Sequence, residues 1–215
     1  MKAFEARDGV AVAELDAEER MVIARIVADV GLLLGGDAFG MEPFDQPERE
    51  DAAQEIVNYL NNLDEFLAEP NDPAVLRLLP NAAPTDREVS DEFRRLTEPD
   101  LRDLKVARLR SLWLQLSDDG PEWVVSEQEI LPTASALTDI RLVLADRLGV
   151  ATDEDAERLH TEIELAAHTL EEPDDEALSL DPERMWLGML YQALTWLQES
   201  LVQLALDAGE RDTDE

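Results

Sequence analysis

The chain has 215 residues, 51 of them acidic and 18 basic, for a formal charge of -33, and it has no cysteine. A charge of that size repels nucleic acid and anionic lipid at long range, so either partner would need a special local arrangement. The absent thiols exclude disulfides, thiolate–metal sites and cysteine nucleophiles. No run reaches the apolar length of a membrane span, and the first residues lack the apolar stretch of a signal peptide. The expected location is therefore the cytoplasm.

The opening predicts a hairpin, with Ala3 to Ala6 and Val10 to Glu14 flanking a turn in which Gly9 supplies a positive φ. Asp16 with Glu19 three residues on is a capping-box pattern. It opens a helix with its apolar stripe at Val22, Ile23, Ile26, Val27, Val30, Leu33 and Leu34, ended by Gly35 and Gly36. Residues 35–50 carry glycines, prolines and acids and read as a flexible loop. Ile56, Leu60, Leu63 and Leu67 then recur at helical spacing as far as Pro70.

Asp72-Pro73 starts a short helix that Pro80 ends. A further helix is expected over 86–96. Thr97-Glu98-Pro99-Asp100 reads as a new start, giving a second helix to about Ser117. Glu122 to Val125 is a strand candidate able to join the hairpin, which would be marginal alone. Ser126 with Glu129 predicts a capped helix ending at Gly149, and Thr152 to Asp155 begins another to about Leu170. Residues 171–176 read as a solvated linker. Asp181-Pro182 opens the last helix, whose apolar surface runs nearly all the way round and predicts a central place or a protein contact. The expected architecture is a mainly α single domain over 1–208, with seven to eight helices and a small antiparallel sheet of two or three short strands. Residues 209–215 are expected to form a disordered acidic tail.

His160, Glu164 and His168 share one helical stripe at i, i+4 and i+8. Adjacent members could share an ion, but the stripe drifts toward solvent and the two histidines stand two turns apart, so no metal or other cofactor is assigned. With two histidines and no cysteine, acid–base work would fall to carboxylates, and no pair stands out to name as catalytic. The cations are more informative. Arg94, Arg95, Arg102, Lys105, Arg108 and Arg110 place six of the 18 positive charges in one short stretch. They read either as internal ion pairs between acidic helices or as a local ridge for an acidic partner or nucleic acid, interrupted by Glu92, Glu98, Asp100 and Asp103. Arg141 and Arg147 form the other candidate, with Arg141 at the border of a buried stripe, where it could pair bidentately with a carboxylate of a neighbouring helix.

Four segments in order carry a resemblance. They are Asn71 to Pro80; Glu92 to Thr97 with Asp100, Leu101, Arg102 and Lys105; Leu137 to Leu144 with Arg147, Leu148 and Gly149; and Tyr191 with Trp196 to Leu201. Together they resemble the actinobacterial AosR-like family, formerly a domain of unknown function, over most of the chain. The resemblance implies a non-enzymatic, transcription-linked regulator of redox and stress homeostasis. It implies as partner an alternative sigma factor or another transcription component, with a Clp-linked factor as a second class. The family's sensing is attributed to a pair of nearby cysteines, and none is present here, so a thiol switch is excluded in this member. The segment from Gly35 to Pro70 is also longer than the family pattern, and Thr138 stands where asparagine is usual. The expected contacts are Arg94, Arg95, Arg102, Lys105, Arg108, Arg141, Arg147 and Trp196, and a homodimer is possible. Direct DNA binding through 94–110, or a metal- or carboxylate-dependent enzyme, stand as the alternatives.

Overall fold

A computed structural model describes residues 1–36, 39, 70–118, 120–171 and 181–213, with side chains described except at 167–171 and 209–213. Strands β1 (Glu5–Arg7) and β2 (Val10–Glu14) form the predicted antiparallel hairpin. Asp8 and Gly9 both take positive φ, 48° and 82°. That pair of angles suits the tight turn whose twist matches that of the strands, and glycine takes it without cost. Strand β3 (Glu122–Ser126) adds antiparallel to β2 with Val12 opposite Val124, giving the order β1-β2-β3. Trp123 and Val125 turn into the core while Val124 faces out, the alternation a half-buried strand requires. Phe4 meets the Trp123 ring edge-on at 4.9 Å, and its N–H donates to Ser200 Oγ at 3.0 Å.

Helix α1 (Ala17–Leu33) starts as its sequence dictates. Asp16 Oδ1 accepts from the Glu19 N–H at 2.8 Å, and Glu19 Oε2 accepts from the Asp16 N–H at 2.9 Å. Helix α2 (Pro73–Leu78) is capped by Asp72, which accepts from the Ala74 N–H at 2.9 Å. The expected helix over Ile56 to Leu67, most of the 35–50 loop and the 171–176 linker beyond Glu171 lie outside the described residues.

The two helices expected on either side of Thr97 are one. Helix α3 runs unbroken from Arg87 to Leu116 with Pro99 inside it. A proline there removes one N–H and crowds the preceding turn. The side chain before it spans the defect: Glu98 pairs with Arg94 four residues back and with Arg102 four residues on. Thr97 makes no cap, because its hydroxyl donates to the Phe93 carbonyl at 2.8 Å within the helix.

After β3 a single 3-10 turn (Glu127–Glu129) precedes α4 (Ile130–Leu148). The Ser126 capping box is therefore incomplete. Its hydroxyl donates to Glu129 Oε2 at 3.0 Å and caps no backbone N–H. Helix α5 (Asp153–Glu171) begins with Asp155 Oδ2 accepting from the N–H groups of Ala151 and Thr152, which holds the Asp155 carboxyl at a pKa of about 2. Helix α6 (Pro182–Thr213) continues past the point at which the sequence predicts a disordered tail.

Helix α4, not the last one, is central: it touches α1, α2, α3, α6 and β3. Helix α6 instead buries one face, with Leu190, Leu194, Leu197 and Leu201, and leaves Trp186, Met189 and Trp196 exposed. Gly188 lets α5 come close, since a Cβ there would stand 2.7 Å from Ile163. No helix among the described residues is long and apolar enough to cross a membrane.

Candidate partner-binding surface

The cations of α3 mostly turn inward. Arg94 and Glu98 are each 7% exposed, with Arg94 Nε 3.1 Å from Glu98 Oε2. Arg102 Nη2 donates to Glu98 Oε1 at 2.7 Å, and its Nη1 donates to the Leu34 carbonyl at 3.0 Å. Glu98 is thus shared by two guanidinium groups, an arrangement that compensates its burial. Lys105 Nζ lies 2.5 Å from Asp139 Oδ1 on α4, and Arg108 is half-buried with its charge acting on the same carboxylate. Burial pushes the Asp139 carboxyl above its ordinary range, against the opposing pull of Lys105. Arg95 faces solvent and pairs with Glu92 at 2.6 Å, which raises the one pKa and lowers the other. Arg110 sits over the Phe39 ring, 5.7 Å from its centroid.

The bidentate pair expected of Arg141 falls to Arg147. Arg147 makes the bidentate pair, donating to Asp72 at 3.0 and 2.6 Å and so tying the start of α2 to α4. That guanidinium holds the Asp72 carboxyl below the usual carboxylate range. Arg141 finds no carboxylate among the described residues. Its Nη1 donates to Gln198 Oε1 at 2.6 Å and its guanidinium lies over the Tyr191 ring at 5.6 Å, while Nε is buried with no partner among the described residues. The neighbouring helix offers an amide and an aromatic face there, since Glu199 points to solvent.

A further buried cation, Arg20, carries no pattern that marks it in the sequence. It is 6% exposed on α1, and Nη1 reaches the Gln115 carbonyl at 3.4 Å while Nε and Nη2 have no partner among the described residues. The carbonyl lies in the last turn of α3, where no basic residue of that helix stands. A cation there opposes the negative end of the helix dipole. The Gln115 side chain accepts from Trp123 Nε1 at 3.0 Å and lies 3.4 Å from Thr133 Oγ1, so the two helices and β3 meet in one buried polar cluster.

His160 and Glu164 are exposed, 3.3 Å apart, and His160 Nδ1 lies 3.0 Å from Gln192 Nε2. The His168 side chain falls outside the described residues. Among the described residues no three metal-ligating side chains of the His, Cys, Asp or Glu type converge.

With Arg94, Arg102 and Lys105 turned inward, α3 also presents an apolar line to solvent. Val89, Phe93, Leu96 and Leu104 are exposed. Their positions fall on one helical face, which also carries Asp100 and Asp103. A groove of about 1290 Å³ follows residues 81–96 along it. A smaller cavity of about 230 Å³ lies beneath, between Leu79, Pro80, Phe93 and Leu101, with Arg94 and Glu98 in its wall. Trp186, Met189 and Trp196 make a second exposed apolar line on α6.

Residues 1–205 match a family described as a domain of unknown function, DUF2017. The chain belongs to the DUF2017 family. No curated protein and no solved structure matches it. The match spans every described element from β1 into the last turns of α6, so both exposed apolar lines lie within the DUF2017 domain.

The DUF2017 chain also neutralises many of its cations internally. Lys2 pairs with Glu14, Arg7 with Glu122, Arg77 with Asp146, Arg158 with Asp155 and Arg184 with Glu162, besides the pairs of α3 and Arg147. Because acids outnumber bases by 51 to 18, most carboxylates have no such counterpart. The exterior is a negative field broken by apolar lines.

Proposed function

We propose that this protein is a non-enzymatic regulatory binding protein of AosR-like type, linked to transcription and to stress or redox homeostasis. It acts in the cytoplasm by contact with another protein, for example a sigma factor or another transcription component, and uses no cysteine-based switch. The observation that carries the reading is the outward face of α3, where Val89, Phe93 and Leu96 stand exposed beside carboxylates. Exposed apolar lines rimmed by charge are the usual mark of a protein contact. The inward turn of Arg94, Arg102 and Lys105 weighs against the DNA-binding alternative, because paired cations neutralise no phosphates.

The test is affinity capture from a lysate of the native host with the full chain as bait, at about 150 mM salt. Recovery of a sigma factor or polymerase subunit, repeated in the reverse direction, is the expected result. A capture that yields neither, under conditions where the bait is folded by circular dichroism, overturns the reading.

A further inference from the structure

The geometry points to a specific occupant for the outer face of α3: a positively charged amphipathic helix of a partner protein. This inference rests on the protein-binding reading above and adds to it where contact is made and by what chemistry. From Val89 to Leu104 the exposed apolar line is roughly 22 Å long, at 1.5 Å per residue. That matches the apolar stripe of about four helical turns, which is how one helix seats in the groove of another. The groove beside residues 81–96 supplies the concave side.

Charge selects among occupants. Asp100 and Asp103 border the line, Glu92 beside it is paired with Arg95, and the formal charge of the whole chain is -33. A second copy of the chain would bring an equal negative charge to this face and be repelled. A neutral apolar segment would leave the border carboxylates facing it without counter-charge. A helix with apolar side chains at i, i+3, i+4 and i+7, and lysine or arginine on either side, satisfies both parts at once. The cations nearest the line are already paired: Arg94 and Arg102 with Glu98, Lys105 with Asp139, and the exposed Arg95 and Arg87 with Glu92 and Asp91.

The experiment is a fluorescence-anisotropy titration of the full-length protein against a labelled synthetic helix of that pattern, at about 150 mM salt. A scrambled peptide of the same composition, with its apolar residues spread round the helix, controls for attraction to a polyanion in general. The expected result is tighter binding of the patterned peptide. That preference should fall by about tenfold or more in Phe93→Asp with Leu96→Asp, as for a central apolar anchor. It should stay unchanged in Met21→Ser on α1, an exposed apolar side chain that leaves the α3 face intact. Equal binding of both peptides, or a preference indifferent to Phe93→Asp with Leu96→Asp, overturns the proposal. A photo-crosslinker placed at position 93 that captures the same chain or a second copy in place of the peptide also overturns it.

The two readings fail separately. A transcription component captured from lysate and still bound by the Phe93→Asp, Leu96→Asp variant removes the α3 face as its contact and leaves protein binding standing. Patterned-peptide binding at position 93 with no such component captured supports the α3 face and removes the transcription link.

Discussion

The two halves of α3 share one helix axis and bury opposite chemistry. In the second half the buried residues are Leu109, Leu112 and Leu116, an ordinary apolar stripe. In the first half they are Ser90, Arg94 and Glu98, while Val89, Phe93 and Leu96 face out. The buried positions stay in helical phase throughout, so the helix has not rotated. What changes is the neighbour. The second half packs against α1 and α4, and α1 ends where the Leu34 carbonyl meets Arg102. Beyond that point the inner face meets the chain around Asn81, whose side chain accepts from Ser90 Oγ at 2.7 Å. One helix thus buries a charged stripe over one stretch and an apolar stripe over the next, according to what packs against it.

That contrast breaks down or holds under substitution. Glu98→Ala should cost the most, about 3–5 kcal/mol, because it removes the buried carboxylate that Arg94 and Arg102 share. Urea unfolding would show it. Leu112→Ala in the other half should cost about 2–5 kcal/mol through the lost burial and the cavity left behind. If Glu98→Ala were as mild as a surface change, the first half would have no ionic interior. Asp139 gives a pH test in the second half. Its folded-state pKa is raised, so between the ordinary carboxylate range and that raised value the folded chain keeps a proton that the unfolded chain has lost. Stability should therefore fall as pH rises through that window, and Asp139→Asn should abolish this part of the slope. The smallest effect belongs to the outer face. Phe93→Ser should change stability by no more than about 0.5 kcal/mol, since the side chain is 49% exposed.

What the sequence made legible was local. Asp16 with Glu19, Asp72 before Pro73, Gly9 in its turn and Gly149 at the end of α4 each act within four residues, and each stands where its type predicts. The pairing of β3 with the hairpin was legible too, because a two-stranded unit needs a third strand. Pro99 misled because a start signal is read from a few residues, whereas the continuity of α3 depends on Glu98 holding partners on both sides of it. The destination of the cations was hidden for a different reason. Arg141 and Arg147 lie six residues apart on one helix, and only the tertiary neighbours, Gln198 and Asp72, decide which takes a carboxylate. The charged inner face of α3 follows from where α1 stops, which no pattern within residues 87–101 records.

The hydrogen bond from Phe4 to Ser200 joins residues 196 positions apart, and the same phenylalanine rests on Trp123. A nascent chain leaving the ribosome would carry its hairpin without β3, and Phe4 without Trp123 and Ser200, until β3 and then the last helix had emerged. Such long-range closure slows folding and leaves the hairpin open to proteases in the meantime. Arrested chains that stop short of α6 should accordingly be cut near Phe4 far faster than released ones.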